Sequence, residues 1–559
     1  MGAKGTDGAA PAAWLAIGGL LLVVAVPFAA VVLQAVFPEL GRGSFTAPFS
    51  LIVETLGDSA LLGMAGNTVL LGGCVVLASA VLAVPLGVFR ALYRIPFAPV
   101  WDVLLLVPFM IPPYIATLGW IMTLQPRGYL QQLAGFNLAP LLFSLGGMTL
   151  VMAFNSFSVV YFAVSRTVEA VGARYADVGR VFGATPARAF WRITLPLSAP
   201  GLAASLMLVF AAAIEEYGTP AALGRRAGFQ VLVTGIDLRI TDWPIDLPGA
   251  AILSLILVLM SLVAFLGQRW ILSRRSYQTV GGKPSANDKR PLGALKWPVM
   301  VAFTIVAFLA TGVPLLSILA TALSRTISGG LAIGNISLAN FSAIFANASG
   351  ALVALGNSFS LGIGTALLTG LIGVTAAYTV VKTRIRGRAL IDVMTVLPNA
   401  LPGIVVAVGL ILAWNMPGLP LTPYNTPYIL LLAYCCIMLP QPVRYATAAF
   451  LQLGDSLEAA ARVSGASGIT AFRRILLPLV FPSLASAMLL VFALASRELV
   501  ASVVIAPVGM QTIATFIWRQ FEQGSIGLGM AMAFVTVALT TLLPLVFLAL
   551  LRRSGLVAE

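Results

Sequence analysis

Histidine is absent from this 559-residue chain, cysteine occurs three times, and only 9% of the residues are charged. The first absence removes every His-centred triad and every histidine metal ligand. Cys74, Cys435 and Cys436 all fall within apolar runs, which leaves no disulfide framework and no thiolate metal site. No G-x4-G-K-[ST] sequence occurs. The nearest fragment, Gly281-Gly282-Lys283-Pro284, lacks both the spacing and the hydroxyl, so no loop here can cradle ATP phosphates. The charge content is well under half of the quarter usual in soluble domains, so the net charge of +14 has no soluble basic face on which a nucleic acid could lie. The expectation is a chain without catalytic residues, metal site, cofactor of its own or nucleic-acid partner.

What fills the chain is hydrocarbon: 59% of the residues are hydrophobic. Runs long enough to cross about 30 Å of lipid, roughly 20 residues each, fall near 13–37, 65–89, 102–124, 140–165, 197–220, 247–270, 298–322, 352–381, 390–414, 427–448, 481–505 and 529–551. Lys4 stands alone before the first run and no small-residue cleavage site follows it, so that run reads as a retained helix. With the N-terminus in the cytoplasm and the sides alternating, most of the 33 Lys and Arg residues fall inside, and Arg497 is the one counted within a span. The positive-inside rule selects this orientation, with both termini cytoplasmic.

The chain is written twice. Asn67, Asp102, Pro108, Pro112 and Gly119 recur 290 residues later as Asn357, Asp392, Pro398, Pro402 and Gly409. From Arg180 the offset becomes 282, and Arg180–Leu202 shares 13 of 23 positions with Arg462–Leu484, where composition alone gives roughly two or three. Each copy holds six runs, so both enter the membrane in the same direction. The expected fold is an all-α integral membrane protein of about twelve transmembrane helices, in two parallel six-helix repeats related by a pseudo-twofold axis. The expected domains are 1–272 and 298–559. The polar stretch between them, 273–297, rich in Gly, Pro, Ser and basic residues, reads as a cytoplasmic linker.

The best-kept part of the repeat is polar. GATPARAFWRITLPLSAP begins at Gly183 and GASGITAFRRILLPLVFP at Gly465, each between the fourth and fifth runs of its half. A glycine suits a left-handed helix end and a proline suits a new first turn, so each loop, about 167–196 and 449–478, is expected to be a helix, a turn and a second short helix at the cytoplasmic surface. Arg188, Arg192, Arg473 and Arg474 would let such a helix rest on anionic lipid. Two like projections related by a twofold axis instead suit a partner with two like docking grooves.

These loops resemble the E-A-A-x3-G-x9-I-x-L-P signature of the permease subunits of binding-protein-dependent ABC importers. The second copy reads EAAARVSG with ILLP nine residues on, and the first reads DVGRVFG with ITLP at the same spacing. Asp177 takes the expected acidic position, with Val178 and Gly179 in place of the two alanines, while Glu458 stands one residue early. The resemblance implies that Asp177, Gly183, Ala184, Glu458, Gly465 and Ala466 belong to ATPase-coupling loops. It also implies two copies of a nucleotide-binding subunit that carries the ATP and Mg, a solute-binding protein outside, contact with membrane lipid, and residence in the bacterial inner membrane. The EEYGTP stretch from Glu215, the RELVAS stretch from Arg497 and the fusion of two domains look most like the iron(III) branch. Related branches carry 2-aminoethylphosphonate, thiamine or putrescine and spermidine.

Charges within spans are costly, which marks Glu215, Glu216, Arg497 and Glu498 as candidate pathway or gate residues. Glu216 and Glu498 are repeat equivalents, and a structural role, with Glu498 neutralising Arg497, is the competing reading. The proline-rich third helices, LVPFMIPPYIATLGW and VLPNALPGIVVAVGLILAW, are the other pathway candidates, because proline frees backbone groups that must face protein or a water-filled cavity. An ion-coupled secondary transporter built from parallel repeats is the rival class.

Overall fold

The computed structural model describes residues 10–273, 289–346, 349–415 and 422–553. Among the described residues the backbone is helical, with two isolated bridges and no strands, as lipid requires of a chain that must pair its peptide groups within each span. Among them, nine helices are long and apolar enough to cross a membrane, and three bent pairs of shorter helices bring the number to twelve. All twelve expected runs are found, with two departures.

The third span of each half is broken. Ala98–Met110 meets Pro113–Ala134 at 98°, and Arg388–Ala400 meets Gly403–Trp414 at 115°. Proline lacks the donor and its ring collides with the carbonyl one turn back, so Pro112–Pro113 and Pro402 stop each first segment. In the first half the freed carbonyls are taken up by the fourth helix: Asn155 Nδ2 donates to the carbonyls of Pro108 (3.0 Å) and Ile111 (3.2 Å), and Ser158 Oγ to that of Leu105 (2.5 Å). The fourth helices then differ. The first half has one 37-residue helix, Leu145–Val181, running from the membrane into the loop. In the second half prolines 440 and 442 bend the span by 45° between Pro427–Met438 and Pro440–Gln452.

The fifth spans are shorter at their outer ends than expected. One helix ends at Glu215 and the other at Ala495. Glu216, Arg497 and Glu498 therefore lie in breaks beyond these helices rather than within them.

The packing units are not the repeats 1–272 and 298–559. One unit comprises the described parts of Met1–Asp58, Gly235–Val258 and Asn340–Glu559; the other comprises Ser59–Thr234 and the described parts of Leu259–Ala339. The first helix of each half thus packs with the opposite half. In the first unit Pro11–Val36 lies along Ala351–Lys382 and Gly403–Trp414. In the second, Gly293–Ala322 lies along Ala98–Met110 and Pro113–Leu124, where Thr311 Oγ1 donates to the Leu104 carbonyl (2.7 Å) and Ser317 Oγ to that of Gly119 (2.8 Å).

The repeated glycines now have a reason. A Cβ on Gly119 would stand 2.9 Å from the Pro314 carbonyl oxygen, and one on Gly409 would meet the Pro27 carbonyl oxygen, so each glycine lets the exchanged helix reach the backbone of the broken span. The repeated asparagines do equivalent work. Asn67 Nδ2 donates to the Gln230 carbonyl and Asn357 Nδ2 to that of Gln511, both at 2.9 Å, while the next residues, Thr68 and Ser358, accept from the amides of Leu232 and Ile513.

Gly119→Ala and Gly409→Ala should each lower the thermal unfolding midpoint of the purified protein, as overpacking of about 1–3 kcal/mol predicts. Gly63→Ala, whose Cβ meets nothing within 4 Å, should be neutral or slightly stabilising. Equal midpoints for all three variants would remove the close approach as a constraint.

Candidate coupling loops and transport path

Both polar loops have one local geometry. Gly183 and Gly465 sit at φ +84° and +82°, the left-handed region where glycine carries no steric cost. The amide of Ala184 then donates back to the Gly179 carbonyl and that of Ala466 to the Ala461 carbonyl, each at 3.0 Å, closing the helix end before it. A short helix follows in each copy, Pro186–Ala189 and Gly468–Ala471, the latter capped by Ser467. Pro196 and Pro478 lack the amide that would bond the carbonyl four residues earlier, and each chain enters the fifth span through a five-residue π turn, Phe190–Thr194 and Phe472–Leu476. Helix, turn and short helix stand as the sequence indicated.

What the loops present is apolar. Val181 and Phe182 are 84% and 86% exposed, and Val463, the repeat equivalent of Val181, is 90% exposed. Ala184 and Ala466 are half-buried beside the turns, as is Glu458 on the helix Asp455–Val463. The side chain of Asp177 lies outside the described residues.

The first loop has a further anchor. Lys289, near the end of the expected linker, pairs with Glu169 on the long helix (3.2 Å) and donates to the Arg90 carbonyl (3.1 Å). The backbone of Arg290 pairs with Leu92 and Arg94. Arg90 in turn holds Asp102 at 2.7 Å, and the buried Tyr161 hydroxyl donates to the same carboxylate (2.8 Å). The last residues of the linker are thus fastened to the inner ends of the second, third and fourth helices of the first half; residues 274–288 lie outside the described residues.

The acids beyond the fifth spans are helix caps. Glu216 accepts the amide of Thr219 through both carboxylate oxygens (3.1 and 3.0 Å), and Thr219 Oγ1 lies 2.8 Å from Thr117 Oγ1 on the broken third span. Glu498 accepts the amides of Ala501 (3.2 Å) and Ser502 (3.3 Å), opening the short helix Val500–Ile505, and Ser502 Oγ lies 2.5 Å from the Tyr434 hydroxyl. The same oxygen-to-amide geometry is kept in both repeats, while the hydroxyl partner comes from the third span in one and the fourth in the other. Glu215 is different: its Oε1 is buried beside the Ser261 hydroxyl and caps no following helix. Arg497 is buried.

At the Val36 and Trp414 ends of its spans, the first packing unit holds a cavity of about 390 Å³ whose walls include Gln34, Glu39, Ile245, Leu247, Leu412 and Asn415. Trp243, two residues before Ile245, is 89% exposed on a turn held by the Arg239–Asp246 pair at 3.1 Å.

The family model described as "Binding-protein-dependent transport system inner membrane component" matches residues 83–277 and again residues 369–555. The chain belongs to this family. It is a multi-pass permease of the inner membrane, a subunit of a binding-protein-dependent importer of the ABC type, and such permeases work with ATPase and solute-binding subunits. Both matches start inside the second helix of a half, so the exchanged first helices lie outside the family's common part. The permease is 26% identical to the "Ferric transport system permease protein FbpB" of Actinobacillus pleuropneumoniae over 95% of its own length and 77% of that protein. It is 25% identical to the "Fe(3+)-transport system permease protein FbpB 2" of Haemophilus influenzae, over 91% and 92% of the two chains. The "Molybdenum transport system permease protein ModB" of Mycobacterium tuberculosis is 30% identical over 45% of this chain and 90% of its own.

Sequence reasoning missed Arg444. It lies in the run 427–448, and the structure places it on the second segment of the bent fourth span, where it donates to Asn399 on the broken third span. Asn155 and Tyr161, which satisfy the third span, also carried no repeat signal, because Ile437 and Val443 stand at their equivalents.

Glu216→Ala and Glu498→Ala should each cost about 1 kcal/mol of stability, the usual loss for a removed cap. The Gln variants should cost little, because the amide oxygen still accepts a backbone N–H. Thermal unfolding in detergent measures both, and Ala and Gln variants of equal stability would sink the capping assignment.

Proposed function

We propose that this permease imports iron(III), received from a solute-binding protein on the outer side and driven by two ATPase subunits at the two cytoplasmic loops, with both termini cytoplasmic. The observation that carries the docking is the pair of glycine-closed loops presenting Val181, Phe182 and Val463 to water. Apolar side chains so exposed on a basic, polar segment suit the grooves of a partner. Gly183, Ala184, Gly465 and Ala466 set the turn, and Asp177 and Glu458 supply its acidic side. Iron is favoured because the relatives matched along nearly the whole fused chain are named for ferric transport, whereas the molybdenum relative matches less than half of it. Of the three acids, Glu215, whose buried oxygen caps no helix and lies beside Ser261, fits a pathway role; Glu216 and Glu498 act through the helices they cap. Trp243 and the adjoining cavity are the landing surface for the binding protein, since a rigidly held exposed aromatic is the usual anchor of an interface.

The test is reconstitution of the permease in vesicles with the ATPase and solute-binding subunits of its system. Iron(III) uptake and stimulated ATP hydrolysis are expected. Gly183→Pro or Gly465→Pro, which forbids the left-handed turn, should leave the permease in the membrane but lose co-purifying ATPase. Trp243→Ala should reduce the stimulation by binding protein and spare basal hydrolysis. Full uptake and full ATPase retention in both proline variants would refute the docking role, and uptake of molybdate or an organic solute without iron would refute the substrate.

A further inference from the structure

Arg444 stands on the helix Pro440–Gln452, and two counts set its place. It precedes Leu453, whose carbonyl binds Lys382 Nζ at the end of the second helix of that half, by nine residues, or about 14 Å of helix at 1.5 Å per residue. Its Nη2 donates to Asn399 Oδ1 at 2.6 Å, and Asn399 lies eleven residues, about 16 Å, beyond Arg388, where the broken third span begins. Both counts run along helices that belong to bent pairs long and apolar enough to cross a membrane, so Arg444 and Asn399 lie within candidate membrane segments rather than in a connecting loop.

There the cation has one neutral partner. No carboxylate pairs with it among the described residues, and the residue is exposed. The helix has two faces. Val443, Ala446 and Phe450 are buried, the last two packing with Tyr378, Leu476, Val480 and Leu484 in one apolar cluster. The stripe Gln441, Arg444, Ala448 and Gln452, spaced three and then four residues apart, carries two amides and a guanidinium and lies partly to fully open. Hydrocarbon would not tolerate such a stripe; an intramembrane charge faces protein or a water-filled cavity. The first half has no counterpart, since Phe162 and Phe109 occupy the equivalent positions.

We propose that Arg444, oriented by Asn399, is an anion-binding subsite in a water-filled part of the transport path, and that its ligand is a small oxyanion, either free or bound to the transported metal ion. A planar guanidinium with most of its donors open matches a carboxylate or phosphate better than any other class of solute. A bare cation would be repelled at this point, so iron(III) passes it in the company of an anionic ligand.

The inference rests on the permease reading, but its test needs neither ATP nor partner subunits, so failure of either leaves the other standing. Full-length protein carrying Ala448→Cys, one turn below Arg444, is placed in nanodiscs of phosphatidylcholine and treated with a negatively charged methanethiosulfonate; the protein with its three native cysteines alone gives the background. The introduced thiol should react, and adding Arg444→Gln should slow the reaction roughly five-fold, through loss of the local positive potential. Inorganic phosphate should protect the thiol while Arg444 is present and leave it unprotected in the Arg444→Gln variant. Citrate and iron(III) citrate, at equal citrate, separate the sources: equal protection identifies the free anion, and stronger protection with iron identifies the metal-bound one. Asn399→Ala should weaken protection without abolishing the labelling. A thiol that only a lipid-soluble maleimide reaches, or equal labelling rates with and without Arg444→Gln and no effect of phosphate, would overturn the proposal.

Discussion

Every backbone group within the bilayer must find its partner in the protein, because no water is there to replace one. This constraint organises the rest of the structure. Proline breaks both third spans, and a broken span cannot stand in lipid unless neighbouring helices supply donors. In the first half Asn155 and Ser158 supply them from the fourth helix, with Thr311 and Ser317 of the exchanged helix bonding carbonyls on either side of the break. The exchanged helix comes close enough to do so because Gly119 has no side chain. The same pairing of glycine and proline recurs at Gly409 and Pro27, so the need to satisfy a broken span accounts for repeated spacing between elements far apart in sequence.

The two halves share a plan and differ in its execution. Their glycine turns and π turns correspond residue for residue, and both glutamates cap the amide three residues on, Glu498 taking the next amide as well. Their fourth helices do not. One runs unbroken into its loop and is pinned by Lys289 from the linker, while the other is bent by prolines and fastened by Lys382 to the Leu453 carbonyl. The loop that bears Phe182 is therefore continuous with a transmembrane helix, and the loop that bears Ser464 is separated from its span by Leu453 and Gly454. The two loops are joined to their spans differently, one through an unbroken helix and the other across a two-residue break.

The outer acids show how a repeated charge can be read too quickly. Equivalent positions and presence near the membrane made Glu216 and Glu498 look like a gate. Their oxygens instead point at the first amides of the helices that follow, groups that would otherwise lack partners. Glu215, unmatched in the repeat, caps no helix and lies buried beside Ser261.

Composition and periodicity by themselves determined the membrane class, the twelve runs, the duplication and the helix–turn–helix form of both loops, because these depend on local hydrophobicity and on where glycine and proline stand. Only the tertiary structure decided the exchange of first helices, the right-angle breaks in the third spans and the pairing of Arg444 with Asn399. Those rest on which faces meet across hundreds of residues, and an apolar run carries almost no record of its partner: every lipid-facing and core-facing side chain in it has the same chemistry. The polar residues that do record partners, Asn155, Asn399 and Arg444, are single and not repeated, so their meaning appears only when the helices are brought together.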